Sequence, residues 1–288
     1  MPEVRVLRRI TDELSRASGS LPDGEATALW AAVAGLTPAE VWLRREADAA
    51  PDVSRRFWEA VAQRQRGVPF AYVVGRVGFR TLDLQIDPRA LIPRPETEGL
   101  VDLVLRETGT RDTGRGTGGL VADIGTGSGC IALSLAVEGS FAKVIAVEQS
   151  AAAAALAREN IARIAPPTPV EVREGNLLEP LVDSGERLRV IVSNPPYVTA
   201  AEFAALDLAV RDFEPREALV SGIDGLDATR ALFAGAGALL EPGGLVALEI
   251  DERRADAVCT LGSAHGWNVA IHTDLFGCPR YALAFRSL

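Results

Sequence analysis

The feature that most constrains this chain is an alternation of strand-length apolar runs with helix-periodic stretches that begins at Leu120. Apolar runs suited to strands fall at 120–124, 143–147, 170–172, 190–192, 244–250, 267–272 and 281–285. Helical periodicity falls between them at 129–137, 151–164, 227–240 and 255–264. Repeated strand–helix units require a mainly parallel sheet with helices over both faces, because parallel neighbours need a crossover connection. The last two strands have no helix between them and are expected to pair antiparallel. The fold class is therefore α/β, with seven strands.

The first ~70 residues read differently. Val6, Ile10 and Leu14, then Trp30, Val33 and Ala34, recur at helical spacing. Thr37-Pro38 with Glu40 forms a capping box with proline at the first helical position. A second start at Asp52 leads into Phe57, Trp58 and Val61. Four or five short helices in a small bundle are expected, with Trp30, Trp42 and Trp58 in its core. Residues 70–86 alternate apolar and polar around Gly75 and Gly78, which predicts a β-hairpin or extended connector. Two prolines stiffen Leu91-Ile-Pro-Arg-Pro-Glu-Thr97, and Glu96 opens a helix reaching Arg106. The glycine-rich stretch 109–119 reads as a loop. The division expected is a helical domain at 1–68, a connector at 69–90 and the sheet domain at 91–288.

Composition excludes several function classes. Of 288 residues, 48% are apolar and 24% charged, which is ordinary globular usage. A net charge of −9 argues against non-specific wrapping of nucleic acid, since phosphates need cations. Three scattered cysteines and two histidines leave no Cys/His zinc site and fit a reducing cytoplasm. No membrane span and no signal peptide are expected, because charges interrupt every apolar stretch.

Two motifs carry chemistry. Asp123-Ile-Gly125-Thr126-Gly127-Ser128-Gly129 sits between a strand and a helix, where glycines let the backbone approach a ligand and the helix start offers free N–H groups. Glu148 ends the next strand, placed to accept both hydroxyls of a ribose. The nicotinamide-dinucleotide fingerprint competes for this geometry, but the third glycine comes one residue early. A carboxylate at Asp123 repels a pyrophosphate and suits a cationic amino-acid moiety, which favours S-adenosylmethionine. The second motif is Asn194-Pro195-Pro196-Tyr197 after the fourth strand. The Asn194 oxygen and the Pro195 carbonyl can each accept one N–H of a planar amide or amine, the prolines pre-shape the loop, and Tyr197 can stack on the planar group.

These residues resemble the amino methyltransferases that carry [N/D/S]PP[Y/F]. Pro69-Phe-Ala-Tyr72, Leu91-Ile-Pro-Arg-Pro-Glu-Thr-Glu98, the glycine turn, Val192-Ser-Asn-Pro-Pro-Tyr197 and Phe213-Glu-Pro-Arg-Glu-Ala-Leu219 occur in that order. The series resembles the peptide chain release factor glutamine N5-methyltransferases (the HemK/PrmC family) over roughly residues 65–250. The resemblance implies a seven-stranded, Rossmann-like S-adenosylmethionine-dependent methyltransferase domain behind a helical substrate-recognition domain. It implies methyl transfer to the glutamine of the Gly-Gly-Gln motif in class 1 release factors. Carried over by motif, Asp123, Gly125, Thr126, Gly127, Ser128, Gly129, Glu148, Asn176, Leu177 and Asn194 would hold the cofactor. Arg94, Asn194, Pro195, Pro196 and Tyr197 would hold the substrate, and residues 92–96 would close over the site. Asn176 stands where the family usually has an acidic residue against adenine. The text around Asp251 also departs from the family, while Asp274 to Arg280 matches loosely.

Other candidates have bland explanations. His265 and His272 are expected to be structural, Cys130 to pack as a small apolar group, and Glu96 and Glu214 to anchor loops. Competing readings are glutamine methylation of another protein such as ribosomal protein uL3, adenine N6-methylation of nucleic acid, and a silent S-adenosylmethionine-fold binding protein. A cytoplasmic monomer without metal, direct nucleic-acid binding or membrane contact is expected.

Overall fold

The computed structural model describes residues 8–109 and 118–286, so most of the glycine-rich stretch read as a loop lies outside the described residues. Five short helices come first: α1 (Ile10–Ser18), α2 (Glu25–Ala34), α3 (Pro38–Arg44), α4 (Pro51–Gln65) and α5 (Phe70–Val74). The capping box forms as its residues predict, with the Thr37 N–H donating to Glu40 Oε2 (2.8 Å) and the Glu40 N–H to Thr37 Oγ1 (3.2 Å). Leu29, Trp30, Val41, Phe57 and Val61 form the core of the bundle, with Trp30 edge-on to Phe57 at 5.0 Å between centroids. Buried Glu13 accepts from Ser54 Oγ (2.8 Å) and Trp58 Nε1 (2.7 Å), which offsets the cost of burying its charge.

Two expectations fail here. Trp42 is 61% exposed rather than in the core, with the Arg45 guanidinium over its ring at 4.2 Å; Trp58 is half-buried. Residues 70–74 are helical rather than extended. Phe-Ala-Tyr-Val-Val is apolar on every side, so strand and helix periods fit it equally. Pro69 opens that turn, and Gly75, at φ +71°, ends it in a left-handed conformation that glycine adopts without strain.

The hairpin itself is shorter than expected: β1 (Arg76–Phe79) pairs antiparallel with β2 (Leu82–Gln85). Arg80 occupies its turn at φ +53°. Its side chain donates to both oxygens of Glu138 (2.7 Å each), to Asp102 Oδ1 (2.8 Å) and to the Glu98 carbonyl (2.8 Å). Those hydrogen bonds, Glu138's first, hold the guanidinium protonated even more firmly than usual.

The rest of the chain alternates as read: α6 (Pro95–Glu107), β3 (Leu120–Ile124), α7 (Cys130–Glu138), β4 (Lys143–Glu148), α8 (Ala151–Ile164), β5 (Val170–Glu174) and β6 (Leu188–Ser193). After the short helices α9 (Ala200–Ala204) and α10 (Leu208–Arg211) come α11 (Asp227–Ala236), β7 (Leu240–Glu249), α12 (Ala255–Ala264), β8 (Trp267–Thr273) and β9 (Pro279–Arg286). α11 stops four residues early because Leu240 leaves it to pair with Leu188 ahead of a register shift. The seven strands run β5-β4-β3-β6-β7-β9-β8. All neighbours are parallel except β7–β9 and β8–β9, so the last two strands pair antiparallel as expected.

Both faces of the sheet are covered, which is why its inner strands read as near-continuous apolar runs while the edge strands β5 and β8 keep polar residues. Leu100, Val104, Leu133 and Leu135 pack one face; Leu232, Phe233 and Val258 pack the other. By compactness, the described residues up to Gly75 together with Leu208–Phe213 form one unit, and Arg76–Asp207 with the residues from Glu214 onward form a second.

Asn160 is the one fully buried polar residue on the core face of α8, alongside Ala153, Leu156 and Ala157. Its Oδ1 accepts the Gln85 N–H (2.8 Å), and its Nδ2 donates to the carbonyls of Gln85 and Ser128 (2.9 Å each). It therefore joins the hairpin to the glycine turn. Asn160→Leu is expected to cost about 2–4 kcal/mol in denaturant unfolding, since the buried Ser128 carbonyl and the two part-buried Gln85 backbone groups lose their partner, at ~1–3 kcal/mol for a buried group before relaxation. A cost below about 1 kcal/mol would show that those groups find other partners.

Candidate active site

The chain runs outward from β3 through β4 to β5, then crosses back to β6 on the other side of β3, so the carboxyl ends of β3, β4 and β6 surround a switch point, where open α/β sheets bind ligands. A cavity of about 350 Å³ lies there. Ile124, Gly125 and Gly127 line it from β3, Glu148 and Ser150 from β4, and Asn176 and Leu177 from the loop after β5. Ser193, Asn194, Pro195 and Pro196 line it from β6, and Val220, Ser221 and Gly222 form part of its remaining wall. That wall is held to the loop after β6 by a parallel bridge, in which the Val198 N–H donates to Leu219 O and the Ser221 N–H to Val198 O (2.9 Å each).

The glycine turn is built by its own neighbours. Gly125 and Thr126 N–H both donate to Val147 O (2.9 and 3.0 Å), and Gly127 N–H donates to Glu148 Oε2 (2.9 Å). The other Glu148 oxygen accepts from the Ser150 N–H at 2.9 Å. Gly127, at φ +57°, has only Ala90 near where a Cβ would stand, so the backbone is open to the cavity. Asp123, fully buried, accepts from Thr126 Oγ1 (2.6 Å) and the Ala132 N–H (3.0 Å) through Oδ2, while its Oδ1 has no hydrogen-bond partner among the described residues. Burial pushes its pKa up to about 7. Asp123 stands behind the glycine turn rather than on the cavity wall, and a buried acceptor left open in this way fits a cationic group.

At the end of β6, Asn194 Nδ2 donates to Thr97 Oγ1 (3.1 Å), and Thr97 Oγ1 donates to Glu249 Oε2 (2.7 Å). Glu249 is buried at the end of β7, and burial raises its pKa to about 7. Asn194 Oδ1 accepts nothing from the described residues. Tyr197 does not line the cavity; Glu249, Arg280, Arg94 and Asp251 are the charges around it, and burial pushes its phenol upward so that it stays protonated.

Several expected site residues sit behind the cavity wall rather than on it. Thr126 and Ser128 are buried in the turn, and Gly129 caps α7. Arg94 does not line the cavity: its Nη2 donates to buried Glu214 Oε1 (2.7 Å), and Glu214 Oε2 accepts the Ile92 N–H (3.2 Å). Glu214 thus anchors the loop 92–96. Glu96 lends only its carbonyl, which accepts from Tyr281 OH at 2.6 Å. Cys130 packs in the core as expected, its thiol pushed up to about 12 by burial. His265 Nδ1 donates to Leu261 O (2.9 Å) and is structural. The Asp251 region is an ion cluster: Asp251 pairs with Arg253 (2.5 Å) and Arg254 (2.9 Å), and Arg254 reaches Glu202 (2.5 Å) and the Asp224 carbonyl (2.9 Å) beside the cavity wall. Among the described residues no His/Cys/Asp/Glu group could hold a metal, and no single helix is long and apolar enough to cross a membrane.

Three buried polar side chains that build the site region escaped the sequence reading: Thr97, Glu249 and Asn160. Thr97 stood inside a noted motif, but nothing local signals its partners at residues 194 and 249.

The raised carboxyls predict a pH effect. Unfolded, Asp123 and Glu249 titrate near ~4; folded, both titrate at about 7. Between those values the native state binds more protons than the unfolded state, so stability falls as pH rises through the window. The ligand-free protein should show a higher Tm at about pH 5.5 than at about pH 7.5, and Asp123→Asn with Glu249→Gln should flatten the difference. A Tm that climbs over this interval would contradict the raised values.

Residues 105–212 match the family model described as methyltransferase small domain, and residues 5–75 the one described as PrmC N-terminal domain. A release factor glutamine methyltransferase of Moorella thermoacetica is 40% identical over 267 residues, 92% of each chain. One of Deinococcus radiodurans is 38% identical over 282 residues, 98% of each chain. Among solved structures, a methyltransferase from Pyrococcus furiosus superposes with a TM-score of 0.55 at 23% identity, covering 79% of this chain and all of that one. A T. thermophilus 16S rRNA N2 G1207 methyltransferase, solved with AdoMet and guanosine, superposes at 0.52 and 18% identity, covering 74% of this chain and 50% of that one. These two likenesses concern the fold. The similarity that runs the length of the chain is to the curated relatives, and it places this protein in the release factor glutamine methyltransferase family.

Proposed function

We propose that this protein transfers a methyl group from S-adenosylmethionine to the side-chain amide nitrogen (N5) of the glutamine in the Gly-Gly-Gln motif of class 1 peptide chain release factors. The observation that carries the reading is Asn194: its Nδ2 is tied back to Thr97 while its Oδ1 is left as an open acceptor at the cavity, beside Pro195. An open amide oxygen followed by a backbone carbonyl suits a primary amide, which offers two N–H groups in one plane.

S-adenosylmethionine supplies an electrophilic methyl group on a sulfonium. Asp123, with its unpartnered oxygen, is the group to meet the cofactor's ammonium, either directly or through water. Glu148, lining the cavity, retains acceptor capacity for ribose hydroxyls, because each oxygen has so far taken one N–H. Asn176 and Leu177 border the adenine side, and Gly125 and Gly127 let the chain approach. Asn194 Oδ1 and the Pro195 carbonyl each accept one N–H of the glutamine amide and point its nitrogen at the methyl carbon. An amide nitrogen is a weak nucleophile, so positioning and stabilisation of the positive charge developing on it carry the rate. The nitrogen–carbon bond forms as the sulfur–methyl bond breaks, releasing S-adenosylhomocysteine; the nitrogen then gives its proton to water, and no general base is needed. Pro196 stiffens the loop.

The test uses labelled S-adenosylmethionine with a purified class 1 release factor and with a variant whose Gly-Gly-Gln glutamine is alanine. Label is expected on the wild-type factor alone. No label on either, with cofactor binding intact by calorimetry, overturns the assignment.

A further inference from the structure

Asn194 is a symmetric-looking side chain with opposite ends. Turned one way, it offers an acceptor to the cavity; turned the other, it offers an NH₂ that would repel a substrate amide's N–H. Something must decide which end faces out. Thr97 touches Asn194 on one side and Glu249 on the other, at 3.1 and 2.7 Å. A hydroxyl has a single proton to give. When Glu249 is a carboxylate it can only accept, so the Thr97 proton goes to it. Thr97 Oγ1 then has only lone pairs for Asn194, and the Asn194 NH₂ must face inward.

We infer that Glu249, acting through the Thr97 hydroxyl, is a positioning relay that fixes the Asn194 amide with its oxygen toward the substrate. This rests on the reading of Asn194 given above. Neither residue touches substrate; both act through Asn194. The three come from separate elements: Thr97 from the first turn of α6, Asn194 from the loop after β6, and Glu249 from the end of β7. Thr97 and Glu249 are both buried, so water does not substitute for either partner.

The relay has a pH signature. The groups facing Glu249 are Arg280 and Tyr281 from β9, Glu96 and Thr97 from α6, Asn194 and Tyr197 from the loop after β6 and Cys130 from α7. The Asn194 amide, like the Thr97 hydroxyl, favours the ionised carboxyl, so both hold the amide's NH₂ end inward. A protonated Glu249 can donate to Thr97, which then donates to Asn194 and lets the amide turn over. Glutamine has no group titrating in this range, and a bound cofactor's ammonium keeps Asp123 ionised at saturation, so kcat at saturating substrates should fall on the acid side of about 7, where burial has placed the Glu249 carboxyl.

The experiment measures kcat and KM on release factor against pH for wild type, Thr97→Val, Thr97→Ser, Glu249→Gln and Asn194→Ala, with Tm and calorimetric cofactor affinity for each. Thr97→Val should lower kcat by about 10- to 100-fold, the scale of a misplaced reacting group, with KM for the factor little changed. Thr97→Ser, which restores the hydroxyl, should recover most of that loss. Glu249→Gln should lower kcat and abolish the acid limb. Wild-type kcat in both Thr97→Val and Glu249→Gln, with Asn194→Ala inactive, overturns the relay and leaves the reading of Asn194 standing. So does an acid limb that survives in Glu249→Gln. An Asn194→Ala enzyme at the wild-type rate overturns that reading and the relay with it. Should Thr97→Val fail to fold, Glu249→Gln and its pH profile decide the matter.

Discussion

Asn194→Ala is expected to lower kcat for release factor methylation by about 10²–10³-fold, the usual cost of removing one pre-oriented polar contact to a reacting group. The Asn194 oxygen serves the chemical step, so the loss should appear mainly in kcat. Cofactor affinity by calorimetry should stay within about threefold, because Asp123, Glu148 and the glycine turn are unchanged. Asn194→Asp is a sharper probe. It keeps an acceptor toward the cavity but removes the NH₂ that Thr97 accepts, and it sets a second carboxylate on the hydroxyl that serves Glu249. Like charges so close push one pKa up. With one proton shared, the introduced carboxyl can donate to Thr97 as the amide did and still present an acceptor, so this variant should be more active below the pair's upper pKa than above it. A near-wild-type kcat for Asn194→Ala would remove Asn194 from the mechanism.

The second large effect concerns Arg80. Its side chain is nearly buried and holds two carboxylates and a carbonyl that belong to α6 and α7. Arg80→Ala takes the cation out of that cluster and should destabilise the sheet unit by about 3–5 kcal/mol, the range for breaking a buried pair by deleting one partner. Arg80→Gly should lose about 1 kcal/mol less, because φ +53° is strained for any residue with a Cβ. Arg80→Lys retains charge without the fork and should fall between wild type and alanine. Denaturant unfolding gives the magnitudes, and hydrogen exchange should show β1 and β2 amides losing protection first. Equal stability in alanine and wild type would mean that the cluster contributes nothing net.

Arg80 also shows where reading the chain stops. Nothing in Gly78-Phe79-Arg80-Thr81 separates this arginine from an exposed turn residue, because its partners lie at 98, 102 and 138. The same holds for Glu249, which looks like one more residue in an apolar strand until Thr97 is placed beside it. Trp42 failed in the opposite sense: its helical spacing is right, but periodicity says only that a face exists, and α3 buries Val41 instead.

What the sequence determined by itself were the features whose physics is local. The five inner strands are buried on both faces and so were legible as apolar runs, while the edge strands β5 and β8 carry polar residues and were legible from their place in the strand–helix alternation. The glycine turn was legible because a ligand-approaching backbone needs glycines at several closely spaced positions, here 125, 127 and 129, and the capping box because its two hydrogen bonds span three residues. Asn194 and Glu148 were legible because each closes a strand at the edge where ligands bind. Only the tertiary structure decided which polar groups meet. It set the order β5-β4-β3-β6-β7-β9-β8, and with it the proximity of residues 97, 194 and 249. A hydrogen bond depends on angles and tenths of an ångström between side chains distant in sequence, and those are settled by how the helices and sheet pack.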